Sequence, residues 1–77
     1  MKWVNITADP ATLPPPCVPV IADLGHGIEI ACRCGYTWVR ALRYVFDANE
    51  NEWVAEETEP ADIAPVAWRR LSKVSTK

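Results

Sequence analysis

Hydrophobic and polar residues alternate with a period of two along most of this chain, a pattern typical of β-strands rather than helices. One alternating segment covers residues 18–23 and a second covers residues 28–34, with Gly25, His26 and Gly27 between them. Two alternating segments joined by a short glycine-rich turn predict a β-hairpin. Pro19 has no amide donor, so it limits the first strand to a sheet edge or to the start of a strand.

A second hairpin is predicted further along the chain. Residues 36–46 carry apolar side chains on both faces, which indicates a central, well-covered strand, although residues 41–43 also fit a helical turn. The polar residues 47–51 are typical of a turn, and residues 52–56 form the return strand. Gly35 marks a bulge or a second turn before this hairpin.

The ends of the chain are predicted to add two short strands, residues 1–7 and 66–71. The prolines within residues 10–16 fix φ and remove donors, so residues 1–17 are expected to be an extended, proline-rich lead-in without helix. Residues 57–65 are expected to form an acidic loop with room for one short helical turn at 61–63. Residues 72–77 are expected to be a flexible tail.

These elements predict one small domain over residues 1–77. The fold class is mainly β: a small antiparallel sheet or open barrel of about five strands, with one short helical turn as an option. With 77 residues, 49% of them hydrophobic, the chain can bury one core but cannot build a two-domain active site.

Charge is distributed unevenly along the chain, whose formal net charge is -2. Residues 47–65 contain no Lys or Arg and seven acids, namely Asp47, Glu50, Glu52, Glu56, Glu57, Glu59 and Asp62. This acidic block either neutralises the basic tail of the same chain, which carries Arg69, Arg70, Lys73 and Lys77, or presents a negative patch to a basic partner. The overall acidity argues against a dedicated nucleic-acid binder, because phosphate contacts need clustered Lys and Arg.

The three cysteines, an odd number, and the lack of a signal-like apolar segment indicate a soluble, intracellular protein of a reducing compartment. Cys17, His26, Cys32 and Cys34 have the spacing C-x8-H-x5-C-x-C, which leaves a zinc site open as an alternative. The simpler interpretation needs no cofactor. On a strand, Cys32 and Cys34 point to one side and continue an apolar interior row, where burial raises thiol pKa values. A reactive cysteine pair is a third interpretation.

The four tryptophans cannot all be fully buried in so small a core, and Trp and Arg are frequent in interaction hot spots. The alternative is that each Trp fills the core and is covered at its edge by the aliphatic part of an arginine side chain. The candidate protein-binding residues are Trp38, Arg40, Glu50, Glu52, Glu56, Glu57, Trp68, Arg69 and Arg70. Catalysis is not expected, because His26 is the only histidine and the only serines, Ser72 and Ser75, lie in the tail.

Several elements in order resemble small phage and prophage proteins grouped as domain of unknown function 551. They are the opening Trp3-Val4, Leu13-Pro14, the strand start Pro19-Val20-Ile21, a glycine turn, Trp53, and the closing Pro65-Val66-Ala67-Trp68 with Leu71. The closing motif diverges, since Ala67 stands where the family has His and Arg69-Arg70 where it has Met-Pro. The resemblance implies an origin on a mobile element, hence a bacterial host cytoplasm, together with a small β-rich fold and no established activity. It provides no catalytic residues to transfer to this chain.

The expected function is therefore that of a non-enzymatic phage- or prophage-derived accessory protein that binds a host or phage protein. Inhibition of a host defence or transcription component is one form that this binding could take. The alternative is a zinc-stabilised nucleic-acid-binding module that uses the four metal-ligand candidates with Arg33, Arg40 and Arg43. A homodimer formed through exposed sheet edges is a further option, and no membrane contact is expected.

Overall fold

The computed structural model describes residues 3–72, which form one antiparallel sheet of six strands in the order β1-β6-β2-β3-β4-β5. The strands are β1 (Val4–Asn5), β2 (Val20–Asp23), β3 (Ile28–Cys34), β4 (Thr37–Asp47), β5 (Glu52–Pro60) and β6 (Ala67–Arg70). A single 3-10 turn, Pro10–Thr12, precedes β2. The predicted mainly β fold is confirmed, with six strands where about five were expected.

The first hairpin, β2–β3, forms where the glycine turn predicts it. Gly25 adopts a φ of 90°, a backbone conformation that favours glycine. The Asp23 carboxylate accepts a hydrogen bond from the Gly25 amide at 2.8 Å, and the Leu24 amide donates to the Gly27 carbonyl at 2.8 Å. Local turn chemistry therefore sets the register in which Val20 lies opposite Ala31.

The second hairpin, β4–β5, is also confirmed, but its register shifts twice between Ala41 and Tyr44. A bulge of this kind bends a strand and changes which face a side chain occupies. The connecting turn is closed by Asp47, whose carboxylate accepts hydrogen bonds from the Asn49 amide at 2.9 Å and the Glu50 amide at 3.3 Å. Most β4 side chains are only half-buried, so the expectation of a well-covered strand was wrong.

Three further boundaries differ from the predictions. The proline-rich lead-in was expected to have no helix, but it contains the 3-10 turn. Pro10 stands at a first helical position, where no amide donor is needed. The Asp9 carboxylate caps the turn by accepting a hydrogen bond from the Ala11 amide. Strand β5 continues to Pro60, so the first part of the expected acidic loop is sheet; Pro60 is tolerated because β5 is the outer strand. Residues 61–65 contain no helical turn.

One face of the sheet is covered by the proline-rich segment. The register places Val20, Ala22, Ala31 and Trp68 on this face, and all four are buried. The Trp68 Nε1–H donates to the Thr12 carbonyl at 2.7 Å. From β3, Arg33 donates to the Pro14 carbonyl through Nε at 3.0 Å and Nη2 at 2.8 Å. These bonds hold the segment against the sheet and complete a small core.

The sheet is curled. Arg70 on β6 and Glu52 on β5 form an ion pair of 3.2 Å, although the sheet order places four strand spacings between them. In a flat sheet those strands would lie ~19 Å apart, farther than the two side chains reach together. The opposite face buries Cys32, Ala41 and Ala67, so both faces contribute to the core.

Three predictions concern the ends of the chain and its relation to membranes. The N-terminal strand was expected over residues 1–7; residues 1–2 lie outside the described part of the chain, and within residues 3–7 β1 covers Val4–Asn5. The expected tail, residues 72–77, lies outside the described residues apart from Ser72. Among residues 3–72 there is no helix of the length and apolar character needed to cross a bilayer.

Candidate protein-interaction surface

The β4–β5 hairpin exposes apolar side chains on one face and packs aromatic rings on the other. Val45 and Val54 lie opposite one another and are 40% and 38% exposed. Their strand neighbours Tyr44 and Phe46 point to the other face, where each meets Trp53 edge-on with ring centroids 5.9 and 5.6 Å apart. The aromatic contacts stabilise the hairpin and leave the valine pair in solvent.

Arginines of β4 pair with three of the seven acids of the acidic block, Glu56, Glu57 and Glu59. Arg40 donates to Glu29 on β3 at 2.6 Å and to Glu59 on β5 at 2.7 Å, so it bridges three strands. The hydrogen bond from Arg40 holds the pKa of Glu29 below its ordinary value. The sequence interpretation expected the basic tail to neutralise the acidic block, but the ion pairs of the described residues come mainly from β4. From the tail, Arg70 pairs with Glu52.

Two further arginines pair with the remaining strand glutamates. Arg43 lies 3.2 Å from Glu56 and 3.8 Å from Glu57, and the Arg70 pair with Glu52 completes the set. In this cluster three arginines face five glutamates, so the hairpin keeps a net negative charge. Its groups remain partly in solvent, where ion pairs contribute little to stability.

The predicted tryptophan anchors occupy different environments. Trp68 is 8% exposed and its indole N–H is bonded within the chain, so it is a core residue rather than a surface anchor. Trp68 therefore fits the alternative given for the tryptophans, in which the side chain fills the core. Trp38 is half-buried opposite Arg33. Arg69 stacks over Trp3 with its guanidinium carbon 5.0 Å from the ring centroid, a cation–π contact that sequence spacing did not reveal.

The four metal-ligand candidates do not come together as a set, although the thiols of Cys17 and Cys34 interact. His26 lies in the β2–β3 turn, whereas Cys34 is the last residue of β3, so ~20 Å of strand separates them. Residues 3–72 contain no group of three or more His, Cys, Asp or Glu side chains arranged to hold a metal. The arginines of the alternative, Arg40 and Arg43, are bound to glutamates.

The two strand cysteines differ from the prediction that both point into the core. Cys32 is buried, and burial raises its pKa from 9.0 to about 11, as expected for a core thiol. Cys34 is exposed, because it ends β3 beside the Gly35 turn. Its thiol interacts with that of Cys17, which is also exposed, and partial desolvation followed by the charge and hydrogen bond of Cys17 raises its pKa.

The structure reveals two features that the sequence interpretation missed. Val45 and Val54 form an exposed cross-strand pair, whose only sequence signal is their position in alternating strands on either side of a turn. Arg33 binds the Pro14 carbonyl and, through Nη1, the Gly35 carbonyl at 3.1 Å. An arginine within an otherwise apolar strand is the signal that could have suggested this second role.

Comparisons of the chain with protein-family models, curated proteins and solved structures find no match. The geometry of the surface is therefore the basis for the functional argument.

Proposed function

We propose that this protein is a non-enzymatic accessory protein that binds another protein through the β4–β5 hairpin. The observation that carries the proposal is the outer position of β5, a nine-residue strand that pairs on one side only within residues 3–72. An exposed strand edge offers backbone donors and acceptors to an extended segment of a partner, while side-chain contacts provide specificity.

The chemistry of the hairpin favours a partner segment that is both apolar and basic. Val45 and Val54 provide an exposed apolar pair, and the glutamate-rich cluster beside them keeps a net negative charge. Glu50, exposed in the turn, adds to this charge. A basic segment would be attracted over a distance by the acidic hairpin and then retained by apolar contact.

The non-enzymatic part of the proposal is supported by the placement of the reactive groups. His26 is remote from the thiols of Cys32 and Cys34, so it does not form a nucleophile–base pair with either. Both thiols have raised pKa values, which lowers the fraction of the nucleophilic thiolate at neutral pH.

The biological setting of the proposal is a bacterial cytoplasm and a phage or prophage origin, both taken from the resemblance and the cysteine content. In that setting the partner is a host or phage protein, and a host defence or transcription component is the form of target we favour. The arginines engaged by glutamates make nucleic acid a poor partner.

The test compares two matched substitutions in affinity capture from bacterial lysate, followed by mass spectrometry. Val54→Lys places a positive charge on the proposed surface, at a position where a lysine on an edge strand is tolerated. Ile28→Lys makes the same kind of change at a 61% exposed residue of β3, outside the hairpin. We expect the wild type and Ile28→Lys to retain one stoichiometric partner and Val54→Lys to lose it.

Two results would contradict the proposal: recovery of no stoichiometric partner by the wild type, or equal recovery by Val54→Lys. Circular dichroism of both variants checks that each is folded. Replacing Glu50 with Gln in the turn should weaken capture at low salt more than at high salt, because screening suppresses the attraction between the hairpin and a basic segment.

A further inference from the structure

Two exposed thiols meet where the proline-rich segment joins the sheet. Cys17 precedes β2 and Cys34 is the last residue of β3, and the thiols of these two residues interact. The Cys17 amide donates to the carbonyl of Arg33, the residue next to Cys34, at 2.8 Å. Both cysteines are exposed, so a small reagent in solution can reach them.

The local backbone positions Cys17 unusually. Its φ of 67° lies in the left-handed region, which few residues other than glycine adopt. This conformation turns the chain between the proline-rich segment and the approach to β2 while the amide stays bonded to β3. The hydrogen bond from its amide to Arg33 keeps Cys17 beside the end of β3, so its side chain lies next to that of Cys34, as a disulfide requires.

We propose that Cys17 and Cys34 form an intramolecular disulfide that locks the proline-rich segment onto the sheet, by exchange with a low-molecular-weight disulfide such as oxidised glutathione. The Cys34 thiolate attacks one sulfur of oxidised glutathione, forms a mixed disulfide and releases one glutathione thiolate. The Cys17 thiolate then attacks the Cys34 sulfur and displaces the second glutathione. The two protein thiols lose two protons and two electrons, and one glutathione disulfide becomes two glutathione thiols.

Cys32 is excluded from this exchange by its position. It is 1% exposed, and burial disfavours its thiolate. It also lies two residues from Cys34 on the same strand, where side chains run parallel about 6.5–7 Å apart rather than converging. The exchange at Cys34 should become faster as the pH rises towards 9, since the raised pKa of that thiol limits its thiolate at neutral pH.

The disulfide would link the proline-rich segment covalently to β3. The segment it fixes provides the Thr12 and Pro14 carbonyls that Trp68 and Arg33 bind. Closing the loop of residues 17–34 restricts the unfolded chain, which for a loop of this length raises the melting temperature of a small domain by roughly 10 °C or more. The inference is independent of the partner proposed for the hairpin.

The test uses the full chain equilibrated in defined ratios of oxidised to reduced glutathione, then quenched with an alkylating reagent. Digestion with trypsin and a glutamate-specific protease cleaves after Arg33 and Glu29, which puts the three cysteines on separate peptides. Mass spectrometry should find the Cys17 peptide linked to the Cys34 peptide, with Cys32 alkylated only after unfolding. The melting temperature should rise on oxidation and fall again with dithiothreitol.

Cys32→Ala is the matched control, and we expect it to keep both the linked peptides and the melting shift. Cys17→Ser and Cys34→Ser should lose both. The proposal is overturned if Cys32 appears in the linked pair, if a glutathione adduct accumulates instead of the internal bond, or if Cys17 and Cys34 stay alkylatable. Should Cys32→Ala not fold, the wild-type digest decides the pairing by itself.

Discussion

Trp68→Phe tests whether the proline-rich segment is part of the core or only a connection across its surface. Trp68 is 8% exposed, lies opposite Val4 and Ala22, and donates its indole N–H to the Thr12 carbonyl at 2.7 Å. Phenylalanine keeps an aromatic ring but has no donor. The substitution therefore leaves a part-buried carbonyl without its partner and a gap where the five-membered ring was.

The expected fall in the free energy of unfolding follows from the lost hydrogen bond and the lost packing. An unsatisfied buried acceptor costs ~1–3 kcal/mol, and the missing packing adds ~1 kcal/mol, so the free energy of unfolding should fall by about 2–4 kcal/mol. Because the core of so short a chain rarely provides more than ~3–5 kcal/mol, the variant should be close to unfolded at room temperature. The urea midpoint should fall by ~2 M or more.

Urea unfolding followed by far-ultraviolet circular dichroism is the assay, because it does not depend on tryptophan fluorescence. Tyr36→Phe is the control: Tyr36 is 101% exposed, so the change should alter stability by less than ~0.5 kcal/mol. A loss of unfolding free energy below ~0.5 kcal/mol for Trp68→Phe would refute the reasoning. The proline-rich segment would then add no more stability than a solvated loop.

Three other predictions concern ionisation and backbone conformation. The pKa of Cys32 is raised from 9.0 to about 11, so the folded state retains this proton longer than the unfolded state. Stability should therefore fall by roughly 2 kcal/mol between about pH 8 and about pH 11 in the wild type, as measured by urea midpoints. The fall should be smaller in Cys32→Ala, which keeps only the contribution of Cys34, whose pKa is also raised. The pKa of Glu29 is lowered, mainly by Arg40, so stability present above pH 4.5 is lost as the pH falls, and Glu29→Gln should reduce this acid sensitivity. Gly35→Ala should cost ~1–2 kcal/mol because φ is 65°, whereas Gly27→Ala, with nothing within 4 Å and no positive φ, should be nearly neutral in thermal melts.

Local signals in the sequence were sufficient to predict the two hairpins. The period of two, the turn with Gly25 and Gly27, and the Asp47 turn act over a few residues, so they can be identified without knowing the sheet order. The strand boundaries that were wrong depend on neighbours. Pro60 stays in β5 because that strand is outermost, a property of the topology that no local pattern shows.

The candidate surface was only partly predictable for a related reason. Arg40 meets Glu29 and Glu59, which lie 11 and 19 residues away in the sequence, and the pairing depends on the register of three strands. The position of Trp68 in the core likewise depends on Thr12, 56 residues away. Composition indicated that Trp, Arg and Glu would matter, but the register decides which of them face solvent.

The charge on β5 argues against the homodimer that exposed sheet edges suggest. Pairing two β5 strands would bring Glu52, Glu56, Glu57 and Glu59 close to their copies, and the arginines that accompany them leave the cluster net negative. Charged residues on an outer strand are a common protection against edge-to-edge association, and under the proposed function the same charges would favour a basic partner. We therefore expect sedimentation velocity to show a monomer across a wide concentration range at low salt. A dimer that persists under those conditions and is abolished by Val54→Lys would show instead that the hairpin's partner is a second copy of the chain.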